Sequence, residues 1–109
     1  MGADIVFENG EYYRDSYNDS CLAWVKSLSY WGLAQGNPTT EEKEEFMREL
    51  SKITDEEIDA YVARKVNEFP RNEQEKIEEY AEMFRKKRDF LKNLDEKGEL
   101  KIDEDGWSI

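Results

Sequence analysis

Three helix start signals from residue 39 onward constrain the fold more than any other feature. Thr39 and Thr54 are each followed three residues later by Glu, the spacing of a capping box. Asn72 is the corresponding N-cap residue of a third segment. The apolar residues that follow recur at helical spacing and form one face each. Those faces hold Phe46, Met47, Leu50 and Ile53; Ile58, Tyr61, Val62, Val66 and Phe69; and Ile77, Tyr80, Ala81, Phe84, Leu91 and Leu94. We therefore predict three amphipathic helices, the second ending at Pro70 and the third near Gly98.

An apolar stripe at helical spacing precedes these segments. Its members are Tyr17, Cys21, Trp24, Leu28 and Trp31. Lys26 is the only charged residue between positions 20 and 35, and a helix that is apolar over most of its circumference is a buried one. The stripe predicts a buried central helix from Ser16 or Asp19 to Ala34. We expect Trp24 and Trp31 in the core and Cys21 as a small buried apolar residue.

Strand-forming residues flank Asn9-Gly10, the preferred pair for a two-residue type I′ turn. Such a turn places Phe7 opposite Tyr12 in an N-terminal β-hairpin. Leu100-Lys101-Ile102 alternates like a short strand, and a hairpin needs such a third strand or a helix beneath it to be stable. The predicted fold is a single α+β domain over residues 1–109, mostly helical. It comprises the hairpin, the buried central helix, three amphipathic helices and a short C-terminal strand.

The composition favours binding over catalysis. The chain has 27 acidic and 16 basic residues, one cysteine and no histidine, with a net charge of -11. The missing histidine removes the commonest general base and the commonest metal ligand. No glycine-rich phosphate loop, serine elbow or metal-ligand spacing occurs. We therefore expect a protein that is not an enzyme and has no cofactor or metal.

Charge and hydropathy also predict the surroundings of the protein. A strongly negative field repels nucleic acid and acidic membranes and attracts basic surfaces. No run approaches the roughly 18 apolar residues of a membrane span, and no basic segment with an apolar core suggests a signal peptide. The unpaired Cys21 suits a reducing compartment. We expect no direct contact with nucleic acid or membrane, and a cytoplasmic location, in a prokaryotic host cell.

Acidic residues recur at i, i+4 and i+8 in the first amphipathic helix, at Glu41, Glu45 and Glu49, which we call the glutamate ridge. Asp55 and Asp59 repeat the spacing in the second helix. Each like-charge pair costs about 0.2–0.5 kcal/mol in an isolated helix. This cost indicates an acidic face that docks on an Arg- and Lys-rich site. The alternative is a solubilising surface, with early-turn acids favoured by the helix dipole.

The candidate partner-binding residues are these acids, the acidic run near the C-terminus and the tryptophan that follows it. They are Glu41, Glu42, Glu44, Glu45, Glu49, Asp55, Glu56, Asp59, Asp103, Glu104, Asp105 and Trp107. Trp107 either folds back on the hairpin or anchors a partner, because Trp is enriched at interface hot spots. The acidic run does not have the spacing of a calcium-binding loop.

Opposite charges in the amphipathic helices predict pairs within each helix. Glu44/Arg48 and Arg85/Asp89 stand at i, i+4 spacing. In the third helix acids fill the first half and bases the second, which complements the helix dipole and requires no ligand.

In type, the chain resembles the small acidic phage-encoded inhibitors of nucleic-acid machinery, anti-CRISPR proteins among them. The resemblance rests on small size, overall acidity and the segments Glu41-Glu42-Lys43-Glu44-Glu45 and Asp55-Glu56-Glu57. It implies that carboxylates stand in for phosphates and occlude the nucleic-acid site of a basic, nucleic-acid-binding protein or complex. Two alternatives remain: an immunity protein or antitoxin that neutralises a basic toxin such as a nuclease, and a structural or adaptor protein whose acidity only maintains solubility. Neither the identity of the partner nor the oligomeric state follows from these patterns.

Overall fold

A three-stranded antiparallel sheet packs against helices in the computed structural model. The structure describes residues 2–17, 21–65 and 73–109, and in the last of these ranges it describes side chains from residue 77 onward. In chain order the elements are β1 (Gly2–Phe7), β2 (Tyr12–Ser16), a 3-10 helix (Leu22–Lys26), α1 (Tyr30–Gln35), α2 (Thr40–Ser51), α3 (Asp55–Lys65), α4 (Glu73–Glu96) and β3 (Ile102–Ser108). The predicted class, α+β and mostly helical, is confirmed.

The predicted starts of α2 and α3 are confirmed in atomic detail. The Thr39 hydroxyl accepts a hydrogen bond from the Glu42 backbone N–H at 3.1 Å, and the Thr39 N–H donates to the Glu42 carboxylate at 3.2 Å. Thr54 and Glu57 form the same reciprocal pair at 3.1 and 3.3 Å. Each box satisfies backbone donors that the first helical turn leaves free.

The apolar faces of these helices form the core with the sheet. The predicted positions that are buried are Phe46, Met47, Leu50, Ile53, Ile58, Tyr61, Val62, Ala81, Phe84, Leu91 and Leu94. Helix α4 lies against both α2 and α3, and its Phe90 ring reaches the sheet, 6.3 Å from Phe7 and 6.2 Å from Tyr13 between ring centroids. The predictions for Val66, Phe69, Pro70 and Asn72 lie outside the described residues.

The prediction of one continuous central helix is wrong. The 3-10 helix ends at Ser27, whose backbone is left-handed with φ 58°. A new helix, α1, begins after Ser29, whose hydroxyl accepts a hydrogen bond from the Gly32 N–H at 3.2 Å. Serine hydroxyls bind nearby backbone groups in competition with helical hydrogen bonds, so the Ser27-Leu28-Ser29 segment interrupts the helix.

This interruption moves two predicted core residues to the surface. Trp24 is 40% exposed and Trp31 is 51% exposed. The apolar residues share one buried face only if a single helix continues through Ser27. Cys21 and Tyr30 are buried, so the segment still supplies part of the core, and the prediction for the thiol is confirmed.

The hairpin is present, but its predicted register is wrong by one residue. Val6, and not Phe7, pairs with Tyr12. The Phe7 N–H donates to the Glu11 carbonyl at 2.9 Å, which leaves a three-residue turn ending at Gly10 with φ 89°. This register puts the buried Phe7 and the exposed Tyr12 on opposite faces. The burial of one face therefore overrides the local preference of Asn-Gly for a two-residue turn.

The predicted C-terminal strand is present as β3, later and longer than expected. It pairs antiparallel with β1, so that the strand order is β2-β1-β3. Ile5 pairs with Trp107 and Phe7 with Ile102, and the register shifts between these pairs. The shift makes residues 103–106 a bulge beside Val6. A Cβ atom at Gly106 would lie 2.1 Å from the Val6 carbonyl oxygen, so this close approach requires glycine.

Candidate functional site

The glutamate ridge lies along α2. Glu41 and Glu45 are exposed and Glu49 is half-buried. Within the described part of the chain, the carboxylates of Glu41 and Glu49 have no hydrogen bond or ion pair. Glu45 binds Arg48 at 2.5 Å. The ridge therefore presents two unpaired carboxylates and one paired carboxylate on a capped helix.

Two side chains of α2 attach this helix to the rest of the fold. Glu44 is only 9% exposed, and its carboxylate accepts a hydrogen bond from the Ile102 N–H at 2.9 Å. Arg48 binds Asp95 of α4 at 3.2 Å as well as Glu45. The prediction that Glu44 pairs with Arg48 is therefore wrong. Glu44 is buried and is not part of the exposed acidic surface.

The acidic run near the C-terminus lies next to α2. Asp103, Glu104 and Asp105 are exposed in the bulge of β3, and the Asp105 N–H donates to the Asp103 carboxylate at 3.1 Å. The bond from Glu44 to the first residue of β3 brings this bulge close to α2. Lys101, just before β3, lines one surface hollow with Glu41, Glu42, Glu44 and Glu45.

We call the six exposed or half-exposed acids of these two elements the α2–β3 acidic face. They are Glu41, Glu45, Glu49, Asp103, Glu104 and Asp105. The remaining α2 candidate, Glu42, is exposed but holds the capping box.

The candidate acids of α3 are arranged differently. Asp55 binds Arg88 at 2.6 Å and Asp59 binds Arg85 at 2.5 Å. The hydrogen bond from Arg88 is the main reason that the pKa of Asp55 lies below its usual range. These pairs join α3 to α4, so the two aspartates are internally neutralised. Glu56 is exposed, with no side-chain partner among the described residues.

Arg85 also fails to form the predicted pair with Asp89. Asp89 binds its neighbour Arg88 at 2.8 Å instead. Arg85 and Arg88 therefore have a structural role that helix spacing did not reveal, because Asp55 and Asp59 lie on α3.

Trp107 is half-buried in β3 and belongs to the packing of the sheet. Its ring lies 6.0 Å from the Tyr30 ring, and the Lys43 ammonium lies 5.6 Å from its centroid. Of the two predicted arrangements, the one in which Trp107 folds back on the hairpin agrees with this position, since Trp107 pairs with Ile5 of β1.

A buried polar network around Asp15 was missed in the sequence. The Asp15 carboxylate is fully buried and accepts hydrogen bonds from Tyr13 at 2.9 Å, Tyr30 at 2.5 Å and the Leu22 N–H at 3.0 Å. Lys87 of α4 binds it at 3.2 Å. Strand alternation from Tyr13 to Asp15 is the signal that places this carboxylate on the inner face.

The surroundings of Asp15 hold the side chains of Tyr13, Tyr30 and Cys21 in their neutral, unreactive forms. Burial is the main cause that raises the pKa of Tyr13 and Tyr30 well above their usual value. Burial, with the negative charge of Asp15, raises the pKa of Cys21 to about 12. A protonated thiol is a poor nucleophile, so the arrangement stabilises the fold and does not present a reactive group to solvent.

The described residues contain neither a candidate metal cluster nor a membrane-spanning helix. In that part of the chain, no group of three or more Cys, Asp or Glu residues is arranged to hold a metal ion. Over the same residues, no helix has the length and apolarity needed to cross a membrane.

Function is inferred below from the geometry of the α2–β3 acidic face. No protein-family model matches this chain, and no curated protein or solved structure matches it either.

Proposed function

We propose that this protein is a non-enzymatic inhibitor that binds a basic, nucleic-acid-binding partner and occludes its nucleic-acid site. The α2–β3 acidic face is the binding surface. The observation that carries the proposal is the contrast between two sets of acids. Asp55 and Asp59 are neutralised by Arg85 and Arg88, whereas the carboxylates of the glutamate ridge remain largely available.

The scaffold beneath the acidic face supports this function. Helix α2 is capped by Thr39 and attached by Glu44 to β3 and by Arg48 to α4. A fixed helix backbone does not have to be ordered on binding, so that only side-chain freedom is lost. The carboxylates also mimic the phosphate charges that supply much of the affinity in protein–nucleic acid complexes. The net charge of -11 favours rapid encounter with a basic surface.

The partner is sought by capture from a prokaryotic lysate at low salt, with elution by a salt gradient and identification by mass spectrometry. The proposal expects one nucleic-acid-binding protein or complex that cannot bind its nucleic acid while captured. Recovery of a toxin such as a nuclease, with its activity neutralised, would instead favour the immunity-protein alternative. A broad set of basic proteins released together at modest salt would favour a solubilising role.

A matched pair of variants tests the surface. Changing Glu41, Glu45 and Glu49 together to Gln should weaken binding to the captured partner at least about tenfold at low salt, with the difference shrinking as salt rises. The control changes the exposed α4 residues Glu78, Glu79 and Glu96 to Gln, which alters net charge equally and should leave affinity within about twofold, a small part of the effect of a direct charge contact. Equal affinities for both variants would place the binding surface elsewhere.

A further inference from the structure

A groove between the 3-10 helix and the end of α3 combines aromatic rings with cations. Trp24, Leu28 and Tyr61 supply its apolar surface, and Arg64 and Lys65 supply its charge. Its volume is about 490 Å³, within the range of ligand-binding clefts. The groove contains none of the candidate acidic residues.

The exposure of Trp24 is not explained by the fold. Its ring stacks on Tyr17, with 6.4 Å between centroids, and Tyr17 lies 6.3 Å from the ring of Trp31. Both tryptophans are more than a third exposed. Exposed Trp side chains that are adjacent on a surface are typical of binding hot spots, so this aromatic cluster indicates a second contact surface.

The charge of the groove is opposite to that of the molecule. The Arg64 guanidinium and the Lys65 ammonium each lie 5.9 Å from the centroid of Tyr61. Arg64 has no ion pair with any described residue. Arg64 therefore presents a cation to an anionic ligand, in a chain whose net charge is -11.

We propose that this aromatic–basic groove binds an acidic peptide segment of a partner protein. An apolar side chain of the segment packs on Trp24 and Leu28, and a neighbouring carboxylate binds Arg64, whose planar guanidinium suits bidentate contacts. The single Arg64 cation matches one carboxylate of a short peptide. A nucleic-acid strand needs a longer basic track than this groove supplies.

This inference does not depend on the proposed inhibitor function, because it uses neither α2 nor β3. The experiment is a titration of the ¹⁵N-labelled protein followed through the indole N–H resonances of Trp24, Trp31 and Trp107. The probe is the acidic peptide acetyl-Glu-Leu-Asp-Phe-Glu-amide, and the neutral control peptide is acetyl-Gln-Leu-Asn-Phe-Gln-amide. The acidic peptide should shift the Trp24 resonance saturably and leave Trp107 unchanged. The neutral peptide should bind at least about tenfold more weakly.

Two charge-reversal variants assign the effect to the groove. Arg64→Glu should abolish the Trp24 shift, whereas Lys97→Glu, an equal charge change at an exposed residue just after α4, should preserve it. Both residues are exposed, so the dispersion of the spectrum verifies that each variant is folded. No Trp24 shift with the acidic peptide, or an equal shift in Arg64→Glu, would overturn the proposal. A response to octathymidylate alone would also overturn the proposal, because it indicates a nucleic-acid ligand. A response to protein concentration alone would do the same, because it indicates that a second copy of the chain occupies the groove.

Discussion

Asp15 is the residue on which the attachment of the sheet to the helices most depends. Its buried carboxylate joins β2 to the 3-10 helix through Leu22, to α1 through Tyr30 and to α4 through Lys87. Removing one partner of a buried ion pair leaves the other charge uncompensated. Because Lys87 is 17% exposed, water relieves part of this penalty. We therefore expect Asp15→Asn to lower the free energy of unfolding by about 2–3 kcal/mol, measured by urea denaturation.

The same substitution on the other face of the hairpin is the control for this prediction. Asp4 binds Arg14 and the Tyr12 hydroxyl at the surface, where an ion pair contributes at most about 1 kcal/mol. Asp4→Asn should therefore reduce stability by less than Asp15→Asn does. Equal losses in the two variants would show that the buried network contributes no more than a surface pair.

At the scale of the element, β3 depends on the bulge that Gly106 permits. A methyl group there meets the Val6 carbonyl oxygen at 2.1 Å, and neither backbone can move without disturbing the pairing of β1 with β3. We expect Gly106→Ala to destabilise the protein by about 1–3 kcal/mol, the usual cost of overpacking. In hydrogen-exchange measurements, the backbone amides of β1 and β3 should exchange faster in this variant.

A glycine in a helix supplies the comparison for Gly106. A Cβ atom at Gly32 in α1 would lie 3.6 Å from its nearest neighbour, Ser29, which is an ordinary contact. Alanine favours a helix over glycine by up to about 1 kcal/mol, so Gly32→Ala should be neutral or stabilising. If Gly106→Ala were equally harmless, the close approach of β3 to β1 would not persist in solution.

At the scale of the whole molecule, a negatively charged chain with buried neutral acids is vulnerable to alkali. The pKa of Cys21 is raised from 9.0 to about 12 by burial, with a contribution from Asp15. Above pH 9.0 the unfolded state loses this proton and the folded state keeps it, so stability falls as pH rises. Tyr13 and Tyr30 act in the same direction above pH 10.0. We expect a loss of about 1.4 kcal/mol per pH unit from the thiol alone.

Removing the thiol separates its contribution from that of the tyrosines. A Cys21→Ala variant should lose less stability than the unsubstituted protein between pH 9.0 and 10.0, because only Tyr13 and Tyr30 of the unfolded state then titrate. Urea midpoints measured across this range for both proteins provide the test. Parallel profiles would mean that the thiol titrates alike in the folded and unfolded states.

The candidate site was only partly predictable from the chain. The glutamate ridge follows from helical spacing, and its carboxylates are where that spacing puts them. The role of each acid does not follow from spacing. Glu44 is a buried link to β3, and Asp55 and Asp59 bind arginines of α4. Sequence spacing cannot distinguish a carboxylate whose cationic partner is far away in the chain from a carboxylate that has no partner.

Local patterns in the chain are enough to predict the helix starts, the apolar faces of α2, α3 and α4, and the strongly negative charge. These are local or additive properties, because a capping box joins residues three apart and net charge is a sum. Only the folded molecule reveals the hairpin register, the exposure of Trp24 and Trp31, and the assembly of the Asp15 network. Each of these depends on which surface is buried against a distant element, and that choice is made by the packing of the whole domain.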